Sequence, residues 1–215
     1  MPSAKTKRSY HHGDLRHALL DAAWLLVRER GLDALTLREV ARKVGVTHAA
    51  PYHHFATREA LLDALADQGF DALDARMVRA LADAVEPGER LSALGRAYID
   101  FARESPERVQ VMFRRRTEGA REPQPGDDHV FVYLLDAVRA CQAAGVAPAA
   151  DPHELALTAW SLVHGFAKLW LEGPLESMPP YDSRRFELLR DAVLVDLRMS
   201  WRARALAERS KLPRH

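Results

Sequence analysis

The sequence predicts an entirely helical fold, built as a small N-terminal head followed by a larger helical body, and three observations carry that expectation. No stretch of the 215 residues alternates apolar and polar side chains for the length of a strand. Apolar residues instead recur three and four apart between Gly and Pro stops, as the buried stripe of an amphipathic helix requires. Finally, Thr36 to Phe55, TLREVARKVGVTHAAPYHHF, has the start and stop signals of two short helices joined by a tight turn.

Taken in order, Asp14 is placed to cap the first helix, with Leu15, Leu19, Ala22, Ala23 and Leu26 as its buried stripe and Gly31 as its end. Thr36 and Glu39 then stand at capping-box spacing, and Leu37, Val40, Ala41 and Val44 form one apolar face. Gly45 is able to take the left-handed conformation that closes a helix. Thr47 is a candidate cap for the next helix, in which Pro51 lies about one turn in; its missing N–H predicts a short or tightened helix with 3₁₀ character. Two short helices about a Gly turn describe a helix-turn-helix over 37–56, a motif whose second helix enters the DNA major groove. Thr57 caps a long helix running toward Val85, with Arg58 in its first turn.

In the body, Glu86, Pro87 and Gly88 interrupt the pattern, and a helix follows to Glu104. Ser105 and Pro106 start a short one through Val109, Met112 and Phe113. Arg114 to Asp128 reads as a loop, Val130 to Ala144 as a helix ended by Gly145, and Asp151, Pro152 and Glu154 as the start of the most apolar helix in the chain. After the turn SMPPYD a last helix runs from Ser183 into Arg204. The expected domains are 14–74 for the head and 75–210 for the body.

Charge separates the same two parts. Residues 1–58 contain ten Lys and Arg against five Asp and Glu, whereas the whole chain is only +1, leaving the remainder at −4. A basic head on an acidic body suits a nucleic-acid partner. Lys5, Lys7 and Arg8 form a polar lead able to follow phosphates. The single cysteine, Cys141, excludes an intrachain disulfide. No apolar run follows the charges of MPSAKTKRSYHHGD and none elsewhere is long enough to span a bilayer, so a cytoplasmic protein with no membrane partner is expected. The adjacent pairs His11–His12 and His53–His54 lack zinc-ligand spacing, and no nucleophile elbow or phosphate loop occurs. Neither catalysis, a metal nor a cofactor is expected; a metal-responsive regulator and an all-helical enzyme are the alternatives.

The pattern of Thr36, Leu37, Val40, Ala41, Gly45, Val46, Tyr52 and Phe55, followed by Thr57-Arg58-Glu59-Ala60-Leu61-Leu62, resembles the N-terminal domain of the tetracycline-repressor (TetR) family of transcription regulators. The segment Trp160-Ser-Leu-Val-His164-Gly165 is similar to the signature of a C-terminal subgroup named after those Trp, His and Gly residues. The resemblance implies a homodimer on a palindromic double-stranded operator, with repression relieved by a small-molecule inducer. It also implies DNA contacts from Arg38, Thr47, His48, Ala49, Tyr52, His54 and Arg58, the first four near base edges and the last three near phosphates. Pro51 departs from the Leu or Ile usual in the family.

The chemistry of single residues supports parts of that set. Arg38 has the forked donors that match guanine O6 and N7. Tyr52 is expected to donate its hydroxyl to a phosphate while its ring packs on the head, and Arg58 to meet a phosphate beside the positive end of its helix. In the body, Met112, Phe113, Tyr133, Cys141 and Trp160 are the candidate lining of a ligand pocket. His164 and Gly165, with Leu189, Val193 and Leu197 of the last helix, are the candidate dimer seam.

Overall fold

A computed structural model describes residues 12–114, 129–173, 175 and 183–210. Among them the chain forms α1 (His12–Arg30), α2 (Leu37–Val44), α3 (Arg58–Ala82), α4 (Pro87–Glu104), α5 (Pro106–Met112), α6 (His129–Ala143), α7 (Pro152–Leu171) and α8 (Ser183–Ser210), with 3₁₀ turns at Leu32–Ala34 and Ala50–His53 and no strand. The expected polar lead with Lys5, Lys7 and Arg8, the 115–128 loop and the SMPPYD turn lie outside the described residues. α1 begins at His12, so Asp14 is already inside the helix rather than capping it. α8 continues past Arg204 to Ser210.

The chain separates into two compact units. One comprises residues up to 69 together with 107–114; the other comprises 70–106 and the described residues from 129 on. α3 begins in the first and ends in the second.

The head unit is organised around a core from α1 (Leu19, Leu20, Ala23, Leu26, Val27), the loop residue Leu35, α2 (Leu37, Val40, Ala41) and α3 (Leu61, Leu62, Leu65), all at most 5% exposed. Fully burying one such side chain contributes about 1.5–3 kcal/mol, which is why eight-residue α2, too short to persist alone, is held here. The short helix α5, which sequence alone assigns to residues 75–210, makes its side-chain contacts in this unit. Arg28 bonds Glu107 at 2.9 Å, Arg108 reaches the Gln68 carbonyl and lies over the Trp24 ring, and Arg114 pairs with Asp63. Gly69 makes room for Met112, since a Cβ there would sit 2.6 Å from the Met112 Cγ.

The body unit packs α4 at its centre against α6, α7 and α8. Leu94, Tyr98, Ile99 and Phe101 of α4 are buried, as are Val138 and Cys141 of α6, Val163 and Phe166 of α7, and Phe186, Leu194, Leu197 and Trp201 of α8. Asp151 caps α7 through its carboxylate, which accepts from the His153 N–H at 2.8 Å, with Pro152 as the first helical residue. Arg190 holds both oxygens of Asp100 at 2.7 and 2.8 Å, joining α8 to α4.

Candidate nucleic-acid interface

α2 and the turn after it build the candidate interface. The Thr36 hydroxyl accepts from the Glu39 N–H at 3.1 Å, which is one half of the capping box. The other half is absent, because the Glu39 carboxylate turns to Arg42 at 2.5 Å and Arg30 at 3.2 Å; the Arg42 hydrogen bond, chiefly, holds its carboxyl below the usual carboxylate range. Gly45 ends α2 at φ 80°, its N–H bonding the Ala41 carbonyl while the Val46 N–H joins the same oxygen. That geometry reverses the chain within two residues.

Thr47 starts the next segment with its carbonyl, which accepts from the Ala50 N–H, and not with its hydroxyl; the turn has no side-chain cap. The segment is 3₁₀ over Ala50–His53, the tightened form that Pro51 predicts. Pro51 is the second residue of that turn, where its missing N–H has no intrahelical partner to lose, and its ring is buried in the head. Placing Pro51 inward turns Tyr52 outward: the tyrosine is 57% exposed, so the expectation that its ring packs on the core is corrected. Phe55 takes the core position at 3% exposure, with Arg16 over its ring.

The outer surface of α2 and this turn therefore contains Arg38, Thr47, His48, Ala49 and Tyr52, all exposed, with His54 half-buried beside them. Of the basic residues on α2, Arg42 is tied to Glu39 and Lys43 to Glu29, and Arg38 alone has no carboxylate partner among the described residues. Its guanidinium is free for an external acceptor. Arg58 is differently employed. Its Nε donates to the Leu35 carbonyl at 2.8 Å and its Nη2 to the Leu32 carbonyl at 2.9 Å, clamping the α1–α2 connection, while Nη1 lies 3.7 Å from Glu59. A half-buried clamp of this kind sets the position of α2, which the sequence signal for Arg58, a basic first-turn residue, does not reveal.

The candidate pocket residues fall in both units. Met112 and Phe113 belong to the head unit, whereas Tyr133, Cys141 and Trp160 belong to the body. Tyr133 has its hydroxyl pushed up chiefly by a hydrogen bond with Asp74. Trp160 meets Phe131 edge to face and lies against His164 with ring centroids 5.6 Å apart.

Of the candidate seam residues, His164 points into the body: its Nδ1 is 2.5 Å from the Tyr98 hydroxyl, which Trp160 also bonds. Leu197 is 8% exposed and packs inside its own unit, while Leu189 and Val193 are half-buried. Gly165 faces open space. The large apolar residues that do stand outward are Leu157, Leu162 and Leu169 on α7 and Leu188, Val195, Met199 and Leu206 on α8.

The Tyr98–His164 pair makes a prediction. Burial holds the Tyr98 phenol protonated, so it donates, and an accepting Nδ1 belongs to a neutral imidazole. Burial first, and Lys168 second, depress the His164 pKa. Because the unfolded chain then takes up this proton more readily than the folded one, stability present above the unfolded pKa, about 6.5, is lost as pH falls through it toward the folded value. The melting temperature is expected to decline from pH 7.5 to pH 5.5, and less steeply in His164→Gln, as differential scanning calorimetry at each pH will report.

Comparison with known proteins agrees with this geometry. The family model described as bacterial regulatory proteins, tetR family, matches residues 19–65, and that described as tetracyclin repressor-like, C-terminal domain, matches residues 91–193. The chain is 30% identical over 186 residues to the HTH-type transcriptional regulator BetI of Rhizobium meliloti, covering 85% of this chain and 89% of that protein. It is 38% identical over 121 residues to the HTH-type transcriptional repressor KstR2 of Mycobacterium tuberculosis, covering 56% and 58%. A solved structure of a protein with unknown function from Rhodococcus sp. RHA1 superposes with a TM-score of 0.74 at 34% identity, over 92% of this chain and 98% of that one.

Proposed function

Because the chain belongs to the TetR family of DNA-binding transcriptional regulators, we propose that it is a repressor that binds a palindromic operator as a homodimer and is released by a small-molecule inducer. The observation that carries the reading is the unpaired Arg38 on the same exposed surface as Thr47, His48, Ala49 and Tyr52. A guanidinium left without a carboxylate, beside small and polar residues that let the backbone approach a groove, suits base readout with neighbouring phosphate contacts. Tyr52 and His54 serve phosphates, and Arg58 contributes chiefly by holding α2 in place. Residues 14–74, completed by α5, supply the DNA-binding domain, with its helix-turn-helix at 37–56, and the rest of 75–210 supplies dimerisation and ligand response. One of the relatives is itself named a repressor, which favours that sign of regulation.

Pairing between copies runs through the outward apolar stripes of α7 and α8, with Gly165 between Leu162 and Leu169 allowing a neighbouring helix close in. These side chains replace Leu197 and His164, which are engaged within the unit. Sequencing the genomic fragments that the purified protein retains tests the whole reading, and enrichment of no sequence over input DNA defeats it.

The two arginines separate in mutation. Arg38→Ala is expected to relax base preference at one position per half-site by about 1–3 kcal/mol with an unchanged melting temperature. Arg58→Ala is expected to lower the melting temperature, because the Leu35 carbonyl loses its side-chain donor and the Leu32 carbonyl keeps only the Leu35 N–H. Binding titrations against single-base operator variants, with a melt of each protein, distinguish the two.

A further inference from the structure

The body contains a cavity of about 360 Å³, bounded by the start of α4, the end of α6 and the middle of α8. Its inner wall is apolar: Leu91, Cys141 and Trp201 line it and are each at most 4% exposed. Arg198 and Arg202, one helical turn apart on α8, line it as well. Elsewhere in the body Arg190 and Arg76 are ion-paired with Asp100 and Glu104, and Arg103 is stacked on Phe186. Arg198 and Arg202 have no carboxylate within ion-pair distance among the described residues. The Arg198 guanidinium makes only a long contact, 3.4 Å, to the Ser92 hydroxyl. It lies against the first turn of α4, where Gly88 admits it; a Cβ at that position would stand 3.2 Å from Nε. Glu86 and Glu89 also border the cavity; all four charged residues are exposed at its rim, and neither glutamate is within ion-pair distance of the arginines.

Two guanidinium forks without an ion-pair partner among the described residues, at the rim of a cavity whose inner wall is apolar, suit a ligand with both characters. We propose that the cavity binds a small organic acid, its carboxylate held by Arg198 and Arg202 and its apolar chain lying against Leu91, Cys141 and Trp201. Carboxylate oxygens match the paired N–H groups of a guanidinium, and the positive end of α4 adds to their field. An amine of equal length meets like charge at the same place, and a carboxylate with no chain leaves the apolar wall uncovered. The site deepens the proposed ligand response: its effect on DNA rests on that reading, whereas its occupancy does not.

Isothermal titration of the full chain with hexanoate, acetate and hexylamine tests the site. Hexanoate is expected to bind, acetate at least about tenfold more weakly, and hexylamine not measurably. Arg198→Ala and Arg202→Ala are each expected to weaken hexanoate by about tenfold or more, the loss of one charged hydrogen-bonding partner, without moving the melting temperature of the unliganded protein. Alkylation of Cys141 is expected to slow in the presence of hexanoate. Hexylamine binding as well as hexanoate, or both variants retaining wild-type affinity, overturns the assignment. If hexanoate obeys these rules yet leaves retention of the selected genomic fragments unchanged, the site stands and the release of DNA by ligand falls. If the fragments are retained and hexanoate does not bind, the site falls and the DNA-binding reading stands.

Discussion

Glutamate at both Leu162 and Val195 is expected to halve the mass seen by light scattering at micromolar concentration and to weaken operator binding by at least about a hundredfold. Both residues are outward and large, at 40% and 51% exposure, and neither belongs to the buried core of the unit. The substitutions therefore place charge in the proposed seam while leaving the fold of one chain intact, so the thermal melt of the separated chain remains cooperative. The effect on DNA follows from geometry. A second head tethered to the first acts at high effective concentration, commonly a gain of about 10²–10⁴, and a single head forfeits it. Val85→Glu supplies the control, because that residue is 82% exposed in the α3–α4 connection and no stripe surrounds it; its mass is expected to stay that of the wild type. A wild-type mass of one chain under the same conditions sinks the seam altogether.

A fragment of residues 1–82 is expected to lack a cooperative melt, although it contains every element from α1 to α3. The missing piece is α5. Without it the Arg28, Trp24 and Asp63 side chains lose Glu107, Arg108 and Arg114, and Gly69 faces the void left by Met112. Val109, Val111 and Met112 are at most 8% exposed in the intact chain. At about 1.5–3 kcal/mol for each such side chain, their loss approaches the whole stability of a small domain, about 5–15 kcal/mol. Joining residues 106–114 to the fragment through a Gly/Ser linker is expected to restore the transition. Circular dichroism melts of both forms decide it, and a fragment that melts as sharply without α5 removes the helix from the head.

Much of this architecture is legible in the sequence, because it depends on local chemistry. The Thr36 hydroxyl, Gly45, the Thr57 hydroxyl, Asp151 and Pro152 act where their residue types say they should. Pro51 announces a tightened turn by its own covalent structure. What is hidden depends on partners distant in the chain. The carbonyls that occupy Arg58 are 23 and 26 residues away, and Tyr98, which turns His164 inward, is 66 away. The last helix is the clearest case. Leu188, Leu189, Val193, Leu194, Val195 and Leu197 put apolar groups on nearly every side, so composition alone does not choose a buried face. Phe186, Leu194, Leu197, Trp201 and Ala205, the set at helical spacing that includes the bulkiest ring, turn inward. Leu188, Val195, Met199 and Leu206 are left outward. The spacing from Trp201 was the available signal for that division.

The tight turn at Ala50–His53 limits how much of a groove its own side chains are able to follow. Four residues rising about 2.0 Å each span about 8 Å, little more than two base-pair steps at about 3.4 Å. An α-helical reader of three turns sweeps twice that distance along the groove. If two copies read the duplex as proposed, the letters this turn itself reads in each half will be few and adjacent, and the rest of the discrimination falls to Arg38 and residues 47–49 ahead of the turn and to the bendability of the duplex between the halves.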